Sequence, residues 1–401
     1  MSLIVQKFGG SSVRDAQRVM NVARRVTETY AKGNSVVVVV SAQGDTTDDL
    51  IEKAREINPK ANKREMDVLL SSGEQISIAL LAMAIEGLGY PAKSLTGWQA
   101  GFVTDSSHGN SRIRRVETER IENELDKGNI VIVAGFQGLN RYDDITTLGR
   151  GGSDTSAVAI AAACRADLCQ IFTDVEGVYT ADPRLVPEAR KLAEISYDEM
   201  LELATLGAQV LHNRSVEMAK KYNVPLEVLS SLVEKPGTVI KEVAKMEKML
   251  IKGVARDNHV TRISLIGLED VPGIAFRIFS ALAARKINID IILQSVGRDN
   301  TKDISFTVSD SQREDAVAVV EELKQTLGAK NIACDGVTKL SVVGAGMESN
   351  PGVAAMMFEA LSEAGVNIQM IATSEIKISV LIDREESDRA LRAVHSAFVA
   401  G

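Results

Sequence analysis

The sequence predicts an α/β protein in two parts: a mainly parallel sheet between helix layers over residues 1–240, then two copies of a small ferredoxin-like βαββαβ unit. The first part rests on short β-branched runs that alternate with longer amphipathic stretches from Leu3 to about Ile240, a pattern that lays strands side by side with helices on both faces. In such sheets ligands bind at the carboxyl ends of the strands. The second part rests on a repeat. "DVPGIAFRIFSALAARKINIDII" from Asp270 aligns with "SNPGVAAMMFEALSEAGVNIQMI" from Ser349, with Pro272 opposite Pro351 and Asn288 opposite Asn367.

Taken in order, "LIVQKF" from Leu3 reads as the first strand, followed by "KFGGSS" and a helix near 13–31. "SVVVVVS" is the second strand, and helices follow near 63–88 and 114–127. "IVIVAGF" is a strand, "GRGGSD" (149–154) leads into a helix near 153–166, and "LCQIFT", a helix near 196–222 and "PLEVLS" complete the sheet. "EKPGTVIKEVAKMEKM" then breaks the pattern with Pro, Gly and charge, which places a linker at 241–248. Each repeat copy reads strand, Pro-Gly turn, helix, strand, strand, helix. The first copy adds a strand near "NIACD", whereas the second ends on its helix, and "MLIKGVA" at 249–255 would supply its missing strand. The expectation is a first unit (256–337) inserted topologically inside a second (249–255 plus 338–401).

Composition narrows the function. A chain of 401 residues exceeds one ordinary core, and 45% hydrophobic with 25% charged residues describes a soluble globular protein. A net charge of -8 argues against a general nucleic-acid grip and for small-molecule chemistry. Cys164, Cys169 and Cys334 lack metal spacing and read as small buried residues in a reducing compartment. The apolar runs Val36–Val40 and Ala157–Cys164 are shorter than a bilayer span and the N-terminus has no basic leader, so a cytoplasmic location without membrane is expected.

Two Gly-Gly turns carry the chemistry. "KFGGSS" and "GRGGSD" each join an extended segment to a helix start, where free N–H groups and the helix dipole attract anions. Ser11, Ser12, Ser153 and Asp154 are suitable N-caps, and each turn has a cation beside it, Lys7 or Arg150. Capped turns would look the same one at a time; two in one domain point to polyphosphate. There is no G-x-x-x-x-G-K-[ST], and "GRGGSD" has Asp154 where a dinucleotide fingerprint needs its third Gly. "TDVEGVYTADPR" (173–184) would lie at a strand end, with Tyr179 for a base and Arg184 for a phosphate. Glu74 in "SSGEQIS" is a lone acid flanked by small residues, and the four histidines form no nucleophile or metal pattern.

In this order, "KFGGSS", "VVVVVSAQGDTTD", "LLSSGEQIS", "GFQGLN", "TTLGRGGSDTSA", "TDVEGVYTADPR" and the paired Pro-Gly repeats resemble the aspartate kinase family, in its monofunctional bacterial form with two C-terminal ACT modules. The resemblance runs nearly end to end. It implies an amino-acid-kinase fold and transfer of the ATP γ-phosphoryl group to the β-carboxylate of L-aspartate, giving 4-phospho-L-aspartate for lysine, threonine and methionine synthesis. A carboxylate is already a nucleophile, so positioning and charge neutralisation suffice.

Position by position, the resemblance implies that Lys7 stabilises the moving phosphoryl group and that Gly9, Gly10 and Ser11 line the phosphate site. Asp154 would orient Lys7, Arg150 would grip the aspartate carboxylate, Glu74 would face its amino group, and Ser41 and Thr47 would add contacts. Thr173, Asp174, Tyr179, Asp182 and Arg184 match the nucleotide loop, with Mg2+ bridging the ATP phosphates. Gln209 stands where the family commonly has an ATP-holding lysine, a departure that would weaken nucleotide binding. The ACT resemblance implies an effector site for lysine, threonine or both at Asp270, Gly273, Ile274, Ala275, Asn288, Asp290 and Gln294, completed by Val353, Ala354, Asn367, Ile368 and Ser374. It also implies a homo-oligomer built through these modules, or an assembly with a separate ACT-only chain started at Met246 or Met249. The rival readings are a sister kinase acting on glutamate, acetylglutamate, carbamate or UMP, and a non-catalytic amino-acid sensor.

Overall fold

A computed structural model describes residues 2–205, 210–242, 250–296, 301–345, 347, 350 and 352–399. The chain forms two compact units: Met1–Tyr179, Arg190–Thr205 and Gln209–Met246 in the first; Thr180–Ala189, Leu206–Ala208 and Glu247–Gly401 in the second.

The first unit runs β1 (Leu3–Phe8), α1 (Ala16–Ala31), β2 (Ser35–Val40), α2 (Thr46–Ile57), α3 (Lys63–Gly87), β3 (Ala92–Leu95), β4 (Phe102–Thr104), β5 (Ile113–Val116), α4 (Glu119–Asp126) and β6 (Ile130–Ala134). It continues through β7 (Gln137–Leu139), β8 (Ile145–Thr147), α5 (Gly152–Ala163), β9 (Leu168–Thr173), β10 (Glu194–Ile195), α6 (Tyr197–Thr205), α7 (Asn213–Tyr222), β11 (Leu226–Ser230) and β12 (Thr238–Ile240). The main sheet has the order β10-β12-β11-β9-β1-β2-β6-β3, parallel except for β11 with β12. A small sheet, β5-β4-β7-β8, stands beside it.

Five successive valines in β2 are wholly buried, which happens only where both faces of a strand are covered. Val36, Val38 and Val40 face α1 and α3, whose Val19, Val22, Val26, Ile78, Leu81 and Ile85 fill one core with them. Val39 faces the other way, toward Gly135 and Ser153 of α5. Lys7 lies in register with Val39, and in-register neighbours share a face, so its side chain also points toward α5. Helix α3 is apolar and long enough to cross a membrane by length and composition alone, and in this fold it packs against α1 and the sheet.

The second unit runs β13 (Leu250–Glu269), α8 (Ile274–Ala284), β14 (Ile292–Val296), β15 (Thr301–Ser309), α9 (Arg313–Leu327), β16 (Asn331–Ala345), α10 (Val353–Glu363), β17 (Met370–Thr373), β18 (Lys377–Asp383) and α11 (Ser387–Val399). Its antiparallel sheet has the order β14-β15-β13-β16-β18-β17. Two long strands serve both repeats. The first part of β13, through Asp257, pairs with Lys339–Ala345, and the second, from Val260, pairs with Asn331–Val337, with a register slip between Asp257 and Val260. Two apolar cores follow, one around Ile263, Ile278, Phe306 and Val320, the other around Val254, Leu340, Met357 and Leu391.

Several expectations are corrected. The helix expected at 114–127 begins as strand β5 and turns helical only at Glu119. The stretch 196–222 holds two helices, α6 and α7, and 206–209 lies outside the described residues. Helix α2 was not foreseen, because it buries no residue and so has no apolar stripe to read. Ser11 and Ser12 do not cap α1: residues 10–12 form a 3-10 turn, and Asp15 caps instead by accepting the Arg18 N–H at 2.9 Å. Nor do Ser153 and Asp154 cap α5, which starts at Gly152 with Gly151 as its N-cap. Thr180–Ala189, expected with the first domain, clusters with the second unit. There Ala181 and Val186 bury in the core around Val254, Thr180 accepts the Val254 N–H at 2.7 Å, and the Thr180 hydroxyl meets His395 Nε2 at 2.9 Å.

Candidate active site

Lys7 and Asp154 meet at the carboxyl edge of the main sheet. Their Nζ and Oδ1 atoms are 2.6 Å apart, and each side chain retains only about a tenth of its exposure. Lys7 comes from β1 and Asp154 from the first turn of α5, so the cation stands at a helix N-terminus, where both it and the helix dipole favour negative charge.

The glycines are there for close approach. A methyl group on Gly10 would lie 2.7 Å from the Ala42 carbonyl oxygen, which excludes a side chain unless backbone moves. The Gly10 carbonyl accepts N–H bonds from Val13 at 3.1 Å and Gly44 at 3.0 Å, tying the turn after β1 to the turn after β2. Gly9 differs: its missing side chain would stand 3.5 Å from Lys7 Nζ, so glycine there leaves the ammonium uncovered. Gly149 and Gly151 have φ of +76° and +66°, and this left-handed pair carries Arg150 out to an exposed position before α5 begins.

On the other side of the turn after β2, Glu74 reaches in from α3. It is 3% exposed. Its Oε1 accepts the Ala42 N–H at 3.0 Å, while Oε2 has no hydrogen-bond partner. Burial pushes its pKa up to about 7, partly opposed by that N–H bond. Gly73 makes the approach possible, since a methyl there would lie 2.7 Å from the Ala42 side chain. Ser41 shares a hydrogen bond with Ser153 at 2.7 Å, which joins the β2 end to α5, and Thr47 is half-buried in the first turn of α2. Lys7, Gly9, Gly10, Ser41, Glu74 and Asp154 are thus drawn toward the ends of β1 and β2 and the start of α5.

The loop after β9 is only partly brought to this edge. Thr173 ends β9, and its carbonyl accepts the Ser231 N–H at 2.7 Å. Its hydroxyl donates to Asp174 at 3.1 Å. Tyr179 bridges to Lys191 within the first unit. Asp182 and Arg184 belong to the second unit, where they pair at 2.7 Å and the guanidinium holds the Asp182 carboxyl below its usual range. Gln209 lies outside the described residues.

Among the effector positions, Asp270 and Asp290 each already have an ammonium partner from this chain. Lys302 Nζ lies 3.1 Å from Asp270, and Lys339 pairs with Asp290. Gly273, at φ +93°, caps α8. The side chains of Ile274 and Val353 are buried in the two cores, so these residues have only backbone to offer a ligand. Asn288, Gln294, Asn367 and Ser374 are exposed, and Ala275, Ala354 and Ile368 are half-buried.

Asp67 and Arg214 are further residues of the active-site unit that no motif singled out, and His108 and His212, which form no nucleophile or metal pattern in the sequence, hold contacts beside them. Their partners are far apart in the chain: two backbone carbonyls and Asn110 for Arg214, Gly151 for His212, and side chains as well as a backbone N–H for Asp67. Asp67 is fully buried and accepts from Thr147 Oγ1 at 2.5 Å and the Gly109 N–H at 3.0 Å, with His108 Nδ1 2.8 Å away.

The assembled chemistry is a fixed cation with an orienting carboxylate, backbone free to approach phosphate, and a buried acid suited to an ammonium. Such a site can neutralise charge on a moving phosphoryl group. Comparison with known proteins agrees. Residues 2–230 match the amino acid kinase family, and residues 261–328 and 340–398 each match the ACT domain. The aspartokinase of Mycolicibacterium smegmatis is 52% identical over 100% of this chain and 97% of its own length. Aspartokinase 2 of Bacillus subtilis is 50% identical over 99% and 98%. The crystal structure of aspartate kinase from Synechocystis is 45% identical, covers 99% of this chain and 69% of its own, and superposes with a TM-score of 0.57. That of E. coli aspartokinase III in complex with aspartate and ADP shares the fold at a TM-score of 0.82, with 24% identity over 98% and 99%.

Proposed function

The chain belongs to the aspartokinase family, whose reaction moves the ATP γ-phosphoryl group to the β-carboxylate of L-aspartate, and from that premise we propose how its own residues serve the transfer. Lys7 follows the negative charge from the γ-phosphate to the leaving oxygen, and Asp154 keeps its ammonium aimed. Gly9 and Gly10 let the backbone approach the phosphates, Ser11 lines the same turn, and the start of α5 adds its dipole. Arg150 grips a carboxylate of aspartate, Glu74 takes its ammonium, and Ser41 and Thr47 close the pocket. Thr173, Asp174 and Tyr179 receive the nucleoside.

Among the described residues no three His, Cys, Asp or Glu side chains gather into a metal nest. Mg2+ carried in on the ATP phosphates would supply charge neutralisation to the transfer. The observation that carries the reading is the Lys7–Asp154 pair at the N-terminus of α5. The deciding experiment is a hydroxamate assay with ATP, hydroxylamine and each candidate acid in turn; no product from aspartate, or more from glutamate, would reject the substrate.

The regulatory half follows from the repeat. The first ACT module (256–337) is inserted in the second (249–255 plus 338–401), a reading supported by β13 pairing with β16 along both halves. Lysine, threonine or both bind at the Asp270 and Asp290 turns and inhibit by favouring one arrangement of the enzyme over another. The modules also join copies of the chain into a homo-oligomer working in the cytoplasm.

A further inference from the structure

Arg150 stands exposed between two left-handed glycines, and a loop of that composition has little stiffness of its own. What holds the loop comes from the start of α7. Arg214 donates from Nη1 to the Leu148 carbonyl at 2.6 Å and to Asn110 Oδ1 at 3.1 Å, and from Nη2 to the Ser111 carbonyl at 2.8 Å. The Ser111 N–H donates in turn to the Thr147 carbonyl at 2.8 Å. One guanidinium is therefore the hub joining the residue before Gly149 to the 110–111 turn.

Neighbouring groups make the frame two-sided. The His212 side chain lies against Gly151, where an added methyl would meet its Cβ at 2.3 Å. Behind the loop, buried Asp67 holds Thr147 and Gly109 from α3. Arg150 is thus the free end of a loop whose flanks are pinned from α7 and from α3.

We infer that Arg214 is a positioning residue for aspartate: it fixes the Gly149–Gly151 loop so that Arg150 is presented to the substrate carboxylate, and itself touches neither aspartate nor ATP. A planar guanidinium suits this task because its donors diverge to three acceptors at once, which an ammonium on a single stem does not match. The inference rests on the assignment of Arg150 to aspartate, so the test includes Arg150 itself.

Full-length Arg150→Gln, Arg214→Ala and Arg214→Lys variants are compared for aspartate KM, ATP KM and melting temperature, with and without millimolar methylguanidinium. Arg214→Ala should raise aspartate KM about tenfold or more, as expected for lost charge-assisted contacts, with ATP KM nearly unchanged. Methylguanidinium should recover part of that loss, and equimolar urea should not. Arg214→Lys keeps the charge and a folded chain, and should show the same aspartate-selective defect in smaller measure. If Arg150→Gln leaves aspartate KM untouched, the substrate assignment itself fails. If Arg150→Gln is impaired while both Arg214 variants bind aspartate normally, the positioning role alone fails. A joint rise in both KM values with a fallen melting temperature, unmoved by methylguanidinium, would likewise overturn it in favour of a general structural role.

Discussion

Glu74→Gln tests the substrate site through the energetics of one buried carboxyl. Its burial, at 3% exposure, pushes the pKa up to about 7 from an ordinary 4.5, against the opposing pull of the N–H bond it accepts from Ala42. That gap corresponds to roughly 3 kcal/mol at about 1.4 kcal/mol per pH unit. The sign follows from proton linkage. Below pH 4.5 the carboxyl is protonated whether folded or unfolded and nothing is lost. Between 4.5 and about 7 the unfolded chain gives up the proton and the folded one keeps it, so stability of the ligand-free protein falls as pH rises. Above about 7 the full penalty applies. A substrate ammonium beside Oε2 offsets that penalty, so aspartate KM should fall as pH rises through about 7. Glutamine keeps an oxygen for the Ala42 N–H and removes the titration. The variant should therefore be more stable than the parent at pH 8.5, by up to about 3 kcal/mol, and little changed at pH 5. Its aspartate KM should rise about tenfold or more at high pH and lose its dependence on pH around 7. Thermal denaturation at the two pH values and aspartate kinetics from pH 6 to 8.5 read both effects. An aspartate KM that still falls through pH 7 in the variant would refute the reasoning.

Three other outcomes are expected. Lys7→Met should lower kcat about 100- to 1000-fold, in the range seen when one charge-stabilising donor is removed, and lower the melting temperature by stranding Asp154. Adding Asp154→Asn should restore the melting temperature but not the rate; recovery of both would contradict the role of Lys7. Gly10→Ala should destabilise by about 1–3 kcal/mol and raise ATP KM, because its methyl would press on the Ala42 carbonyl, and denaturant unfolding with ATP kinetics checks this. Asp270→Ala should weaken binding of lysine or threonine by calorimetry and relieve inhibition while the uninhibited rate is unchanged, and an effector response equal to the parent's would remove Asp270 from the site.

Where the sequence was legible, a local rule had no competitor. Five consecutive valines mark a strand covered on both faces, and β2 is one. The repeat at Pro272 and Pro351 announced two similar units. Where it was not legible, the missing information lay in tertiary partners. Helix α2 buries nothing and so leaves no stripe. The segment 114–127 has a helical tail, and only pairing with β4 makes Ile113–Val116 a strand. Thr180–Ala189 adjoins the motif "TDVEGVY" in sequence, yet Ala181 and Val186 go where apolar partners wait.

The same distinction runs through the active site. Lys7 and Asp154 were nameable because each sits in a short glycine-bearing motif, and the motif's geometry is the site's geometry: Gly10 admits a carbonyl, and Gly151 frees the loop that delivers α5. Glu74 was nameable only as an acid near small residues, and what makes it chemically distinctive, an oxygen buried without a partner, is created by the end of β2 arriving 32 residues away along the chain. Arg214 was given no role by any motif. Two of its three acceptors are main-chain carbonyls, 66 and 103 residues distant, and a carbonyl is the same at every position in a sequence. Motifs therefore expose the groups that meet ligands, whereas the groups that hold those in place are found by asking where each buried donor goes. On that logic the loop carrying Arg150 depends on a residue whose nearest sequence signal, Gln209, points to the nucleotide instead, and substitutions at Arg214 should resemble an aspartate-site lesion.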